Sequence, residues 1–406
     1  MTPRTGEETY GDEVEISAEI LDSGLKKMKK SIDSTDFEIG VYTYGDVSLK
    51  VINKDGLYNP PTDYRSIFPY SRNLAKIRIA YTDSDGEYTR FRGLVNEEAT
   101  KQDFIKEEVE FRVLSLDSVL RTTKISGGLI PNGTLASAAI KLILNQTQIT
   151  RVLDYDPVNI NVDQDFMIDD GSYFDNKEAR KALNEILFMA NSVLILNTGE
   201  TVFVNSRSEE DGDIANLYGP FDEKNRQNVI DVKNYNLGLH RAFTSVKIGD
   251  SESTDQAYVL DYGYRQLSKS ASFITSPTTQ LQIGNRILQE FKDPQIELEV
   301  TVPTYIAKNL DLLDKVSINY PLRIKKSEGK FLPVVGQAVI DDDMTPLPAT
   351  YGGAYIKPEM GFKIIEISED AKNFETTLKL RQYGWLTDPT SSIVGYAVVG
   401  ESLIAS

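Results

Sequence analysis

The chain has 406 residues, 40 % of them hydrophobic, which is enough apolar matter for two or three cores rather than one. It holds no cysteine, which excludes disulfides, thiol nucleophiles and thiolate zinc sites and agrees with assembly in a reducing cytoplasm. Lys and Arg number 44 against 61 Asp and Glu, so the formal charge is −17; such a surface repels phosphates and argues against a sequence-reading nucleic-acid binder.

No stretch approaches the roughly 18 consecutive apolar residues of a membrane span, and the first residues lack the basic start and apolar core of a signal peptide. A soluble, non-exported chain without membrane binding of its own is expected. The 21 Tyr and 16 Phe, with frequent Val, Ile and Thr, lean the composition toward strands.

From about residue 13 to 120 the chain reads as successive short strands: "EVEISAEI", "FEIGVYTY", "DVSLKVIN", "KIRIAYT", "YTRFRGLVNEEAT" and "EEVEFRVLSLDSVL". Asp85-Gly86 between two alternating runs is the strongest hairpin signal. In "SLKVINKDGLYNPP", residues 48–61, an EF-hand reading fails: with Val51 at loop position one, Asn53, Asp55 and Gly56 fall at positions three, five and six, but positions one and twelve are Val51 and Thr62. A strand from Ser48 to Ile52 followed by a tight turn at Asp55-Gly56, closed by Pro60-Pro61, fits instead.

After Gly127-Gly128 the period changes. "TLASAAIKLILNQT" predicts a helix with Leu135, Ala138, Ala139, Leu142 and Ile143 on one face behind a capping Thr134. "NKEARKALNEILFMANS" predicts another, with Ala179, Leu183, Ile186, Leu187 and Ala190 behind Asn176. The acidic stretch between them, "VLDYDPVNINVDQDFMIDDGSYFD", reads as irregular, and "SVLILNTGETVFVNSR" as a hairpin with Thr198-Gly199 at its tip. Strands return in "RAFTSVKIGD", "QAYVLDYGYRQL" and "SASFITS"; "SPTTQLQIGNRILQEFKDP" predicts a helix ended by Pro294; strands resume in "QIELEVTVP", "LDKVSINYP", "GFKIIEISED" and "FETTLKLRQYG". Residues 328–358, with "DDDMTPLPATYGGAY", read as a long loop, and the glycine-broken tail as a segment that leans on a neighbour. The expected fold is mainly β with an α+β insert: two tube-type antiparallel β-barrels plus a small helical insertion domain. Its parts are a first barrel over 1–125, the insertion over 126–233, a second barrel with a helix and a long loop over 234–386, and a C-terminal extension over 387–406.

Chemistry-bearing constellations are sparse. The single histidine, His240, has no Gly-x-Ser-x-Gly elbow to serve and reads as a polar residue at a domain boundary. Carboxylates cluster at Glu97-Glu98, Glu107-Glu108, Asp169-Asp170, 209–213 and 341–343, which suit solvated faces and loops better than a glycosidase pair. Asp154, Asp156, Asp163 and Asp165 form a conceivable oxygen-rich calcium loop. Gly127-Gly128 and Gly352-Gly353 lead into no Gly-Lys-Ser/Thr helix start, so neither is a phosphate loop. "YVLDYGYRQL" is either a sugar-stacking platform or, more simply, a half-buried sheet face. No catalytic, cofactor or metal residue is assigned.

Four stretches together resemble the tail hub proteins of long-tailed bacteriophages and related injection devices. They are "DVSLKVINKDGLYNPP", "KIRIAYTDSDGEYTRFRGLV", "IGNRILQEFKDPQIELEVTVPTYIAKNLDLLDKVSINY" and "FKIIEISEDAKNFETTLKLRQYG", in the order expected. The family's Leu-Gly-Asp stands here as Leu312-Leu313-Asp314, a departure at a turn, and residues 328–358 match nothing in the family. The resemblance implies a non-enzymatic tail-tip or baseplate component of the virion, assembled in the host cytoplasm. It further implies a homotrimer of two-barrel chains forming a pseudo-sixfold ring between the tail tube or distal tail protein and a threefold spike or fibre, with DNA as transient cargo. A distal tail protein or other tube-type tail component, a wall- or polysaccharide-degrading enzyme with its carboxylates in the middle domain, and a carbohydrate-binding module of the virion surface are the alternatives.

Overall fold

The computed structural model describes residues 20–25, 28–32, 39–53, 56, 58, 76–196, 201–206, 214–218, 227–236, 242–293, 295–319 and 360–385. In chain order its elements begin with β1 (Ile20–Leu25), β2 (Met28–Ile32), β3 (Gly40–Tyr44), β4 (Val47–Ile52), β5 (Lys76–Asp83), β6 (Gly86–Asp103), β7 (Glu108–Ser115) and α1 (Ser118–Thr122). The middle of the chain supplies β8 (Thr134–Leu135), α2 (Ala136–Leu144), α3 (Thr147–Thr150), β9 (Asp154–Ile160), β10 (Met167–Ile168), α4 (Ala179–Met189), β11 (Ser192–Leu196), β12 (Thr201–Ser206), β13 (Ile214–Tyr218) and β14 (Asp231–Asn236). Last come β15 (Ser245–Ile248), β16 (Ser251–Thr254), α5 (Gln256–Tyr262), β17 (Gln266–Lys269), α6 (Pro277–Phe291), β18 (Glu297–Pro303), α7 (Thr304–Ala307), β19 (Lys315–Asn319), β20 (Met360–Asp370) and β21 (Glu375–Trp385). The protein is mainly β, with two curled half-barrel sheets and a small helical part.

The chain separates into two compact units, one of residues 1–27, 46–77 and 93–114, the other of 28–45, 78–92 and 115–406. The first unit holds β1, β4, β7 and the far half of β6 (93–103), from a five-stranded sheet of order β1-β4-β7-β6-β5 whose remaining residues on β6 and nearly all of β5 (78–83) count with the second unit. Alternation decides its core. Along β4 every second residue is buried, and the antiparallel register sets Val47, Leu49 and Val51 opposite Val113, Phe111 and Val109, all at most 2 % exposed. Full burial of such side chains is worth about 1.5–3 kcal/mol each. The turn after β4 is held by Asn53: its Oδ1 accepts the amide of Tyr58 at 2.9 Å, and Gly56 takes the positive φ of 69° that the turn requires. Tyr58 then packs edge-on against Phe111, centroids 5.3 Å apart. Asn53 thus serves the turn, as the strand-and-turn reading expects, and Pro60 and Pro61 lie outside the described residues.

The second unit carries an eleven-stranded sheet of order β14-β18-β21-β20-β2-β3-β11-β12-β9, with β13 joined through β19 to β20. It is mixed: β11 with β3, β12 with β9 and β13 with β19 are parallel pairs. Its core includes Tyr42, Val193, Leu298, Val300, Val302, Val316, Phe362, Ile364, Leu378 and Leu380. Strands β2 and β3, early in the chain, join this sheet through β20 and β11, so strand pairing crosses the changes of sequence pattern at 125 and 233. A separate sheet of order β16-β15-β17 packs against α6. That helix starts as expected, with the Ser276 side chain accepting the Thr279 amide and a proline in the first turn, and it buries Ile283, Gly284, Ile287, Leu288 and Phe291.

Several local expectations are corrected. "QAYVLDYGYRQL" is not one strand: residues 256–262 are α5, capped by Asp255 accepting from the Tyr258 amide and stopped by Gly263 at φ 77°. "SASFITS" carries no strand, and its Phe273 instead centres an aromatic cluster with Phe166, Tyr173 and Phe174 at 4.8–6.2 Å. The acidic stretch expected to be irregular contains β9 and β10. Helix α2 buries Ala136, Ala139, Ile140, Ile143 and Leu144, a face rotated by about one residue from the expected one; its N-cap is Leu135 rather than Thr134, and Asp165 accepts from the Ser137 amide in its first turn. Leu135 is left exposed. Helix α4 buries every apolar residue expected of it, but it begins at Ala179 with Glu178, not Asn176, at its N-cap.

Candidate functional site

A polar cleft of about 410 Å³ lies in the second unit, walled by β2, the near half of β6, the segment after α7 and β20. Each wall owes its polar residue to an inward position on an otherwise ordinary element. From β2 comes Lys30, 3 % exposed, with its ammonium against Asp311. Burial lowers the lysine pKa, and the Asp311 charge offsets only part of that. From β6 comes Arg90, 9 % exposed, whose Nε donates at 2.8 Å to Oε1 of Glu369 on β20 while Nη2 donates to the same oxygen. Its Nη1 donates at 2.8 Å to the carbonyl of Lys308. Glu369 is 5 % exposed; its Oε2 is buried without a hydrogen-bond partner, and so is the hydroxyl of Tyr88. Tyr81, nearby on β5, has its phenol pushed up to about 12 by burial and then by the Glu369 charge.

The segment behind the cleft is the Leu312-Leu313-Asp314 turn. The Asp311 amide donates at 2.6 Å to Oδ2 of Asp314, the Asp314 amide at 3.2 Å to the Asp311 carbonyl, and the Leu313 amide at 2.8 Å to the Ile364 carbonyl. Leu313 sits at φ 69°, the left-handed region that costs a branched side chain about 1–2 kcal/mol. The turn therefore keeps a glycine-like backbone with a leucine in it. Asp314 is raised above the ordinary carboxylate pKa, burial being the main cause.

The residues singled out from sequence are engaged locally. Oδ2 of Asp169 accepts from Thr275 N at 2.6 Å, Thr275 Oγ1 at 2.8 Å and Ser276 N at 3.2 Å, which holds its pKa below the usual range. Asp170 accepts from Ser172. In the calcium set, Asp163 is bidentate with Arg286 at 2.7 and 3.1 Å, and Asp165 accepts from Ser137 N and Oγ at 2.8 and 2.7 Å. Asp154 lies on β9, and the Asp156 side chain lies outside the described residues. Among the described residues no group of three or more His, Asp or Glu is placed to hold a metal. The Gly128 amide donates to Asp175 at 2.9 Å, closing a loop. In the tyrosine stretch, the Tyr258 ring lies against Tyr262 at 5.9 Å and beneath the Lys292 ammonium at 4.8 Å, so its faces are not an open platform for a sugar. His240, 209–213, Asp341–Asp343 and Gly352-Gly353 lie outside the described residues. Among the described residues no helix is long and apolar enough to cross a membrane.

Sequence reasoning missed the cleft, whose walls are far apart in the chain. The only signal was the pair of basic residues in "TRFRGLV", Arg90 and Arg92, at the same-face spacing of a strand.

No family model matches the sequence. No curated protein matches it either. The fold has counterparts among solved structures. A tail protein from Neisseria meningitidis shares 12 % identity at a TM-score of 0.53, covering 89 % of this chain and 93 % of that one. The 43 kDa tail protein of prophage MuSo2 from Shewanella oneidensis shares 13 % identity at a TM-score of 0.50, covering 88 % and 93 %. At these identities the likeness is one of fold, over nearly the whole length of both chains.

Proposed function

We propose that this chain is a non-enzymatic tail-tip or baseplate hub of a phage virion. Three copies form a ring of sixfold appearance that receives the tail tube or distal tail protein on one side and a threefold spike or fibre on the other. The observation that carries the reading is that one polypeptide supplies two curled half-barrel sheets, so a trimer presents six. The open strand edges of such sheets favour a neighbour's backbone over water, and ring closure uses them without growing a filament. In this reading the barrel parts belong to 1–125 and 234–386, the insertion 126–233 faces tail-tip partners, and 387–406 packs against a neighbour or the central fibre. DNA passes through without being held, because acidic residues of a chain at −17 line the passage.

The test is solution mass with low-resolution imaging of the purified chain. Three times the 45.5 kDa chain mass and a ring with a central hole are expected. Six chains per ring would favour a distal tail protein, and a stable monomer would overturn the assembly.

A further inference from the structure

We infer that the Lys30 side chain and the Asp311 carboxyl join as an intramolecular amide, a covalent tie between β2 and the segment after α7 that forms slowly in the folded protein. Contact geometry carries the inference. The Lys30 ammonium, on a residue 3 % exposed, lies against Oδ1 of Asp311, so the nucleophile and the carbon it attacks belong to groups already touching. Reacting groups held in that way behave as if at a concentration of about 10⁵ M or more when well aligned. The same Oδ1 accepts the Leu312 amide at 2.7 Å, a donor placed for the negative charge that an attacked carboxyl oxygen develops. A second carboxyl stands beside the first. Oδ2 of Asp314 accepts the Asp311 amide at 2.6 Å, and the Lys30 charge acts on Asp314 as the Asp314 charge acts on Lys30.

The step balances within these three residues. The ion pair first exchanges one proton, from ammonium to carboxylate, giving a neutral amine and a carboxylic acid. Burial, assisted by the Arg90 charge, favours the neutral amine, while Asp311 and Asp314 oppose it. The nitrogen lone pair then attacks Cγ of Asp311, and Asp314 takes a proton from that nitrogen and hands it to the departing hydroxyl. A C–N bond forms, a C–O bond breaks, one water leaves, and Asp314 ends as it began, with no oxidant or reductant needed. The Asp311 side chain is 41 % exposed, which gives the water a way out. Because the neutral pair is the minor form, the reaction is slow and newly made protein carries the ion pair. The linked residues are 281 positions apart, so the bond closes most of the chain into a loop and restricts its unfolded state more than a short link does. In a chain without cysteine it is a tie that no reductant opens. It stands apart from the assembly reading, because both residues belong to one chain and one unit.

The test is mass spectrometry of the purified full-length protein, sampled from hours to weeks after purification, with its tryptic peptides sequenced. The expected result is a species lighter by one water, accumulating at a rate independent of protein concentration, together with a branched peptide that joins Lys30 to Asp311. On a denaturing gel the linked fraction should run as a faster band. Asp311→Asn offers a carboxamide to the same amine and should lose one ammonia instead, through the same branched peptide. Lys30→Met and Asp311→Ala should keep their full mass, the second being mild for the fold because Asp311 is partly exposed. Asp314→Asn, with the melting curve recorded alongside, should slow the loss by at least about tenfold. No lighter species after weeks leaves an ordinary ion pair and overturns the proposal. So does a loss of water that persists in Lys30→Met, as a cyclic imide elsewhere in the chain would give.

Discussion

Leu313 offers the sharpest test of how this fold tolerates its departures from pattern. It occupies φ 69° and is half-buried against the main core of the second unit. Leu313→Ala removes the side chain and keeps the strain; for a half-buried leucine the loss is about 1–2 kcal/mol. Leu313→Gly removes the same packing and also relieves about 1–2 kcal/mol of left-handed strain, against about 0.5–1 kcal/mol of extra backbone entropy lost on folding. The glycine variant should therefore be more stable than the alanine variant by about 0.5–1 kcal/mol, the reverse of the order seen at an ordinary φ. Urea unfolding followed by tyrosine fluorescence and circular dichroism reads the difference as a shift in midpoint at unchanged slope. If alanine equals or exceeds glycine, the turn does not hold Leu313 in that conformation and the reasoning fails.

Three further outcomes follow. Arg381 and Glu297 face each other across β21 and β18, 3 % and 6 % exposed, so Arg381→Met leaves a buried carboxylate unpaired and should cost about 3–5 kcal/mol in the same unfolding assay. At Gly171 a Cβ would stand 1.8 Å from the Ile130 carbonyl oxygen, so Gly171→Ala forces the backbone apart and should lower the melting temperature by several degrees, corresponding to about 2 kcal/mol or more. Asp314 has a folded-state pKa above its ordinary value of 3.8, so its charge opposes folding at neutral pH, and wild-type stability gains as pH falls through the raised value toward 3.8. Asp314→Asn should be the more stable protein at pH 7, with an advantage that shrinks on acidification; a pH-independent difference between the two unfolding midpoints would contradict this.

How much of this was legible in the sequence depended on how local each determinant is. The alternation of β4, the buried face of α4 and the Ser276 cap of α6 follow from neighbours a few residues apart, and they stand as expected. Helix α5 was misread because its aromatic and β-branched residues suit a strand, while the deciding features are the Asp255 cap and the Gly263 stop. The first turn of α2 is held by Asp165, more than twenty positions downstream, a partner that no local pattern announces. The cleft was invisible for the same reason: Lys30, Arg90, Asp311 and Glu369 become neighbours only through the pairing of β2 with β20 and the placement of β6.

The pairing of Ser31 with Glu366 bears on how the protein is made. At a ribosomal pace of roughly 5–20 residues per second, β2 and β3 would emerge roughly 20 to 70 s before β20 does. During that interval Val41 and Tyr42, wholly enclosed in the finished protein, have no lasting shelter along β2's free side. Translation speed and chaperone supply should accordingly govern the yield of soluble chain, and an expression host that elongates slowly without added holdases should deliver more of it as inclusion bodies.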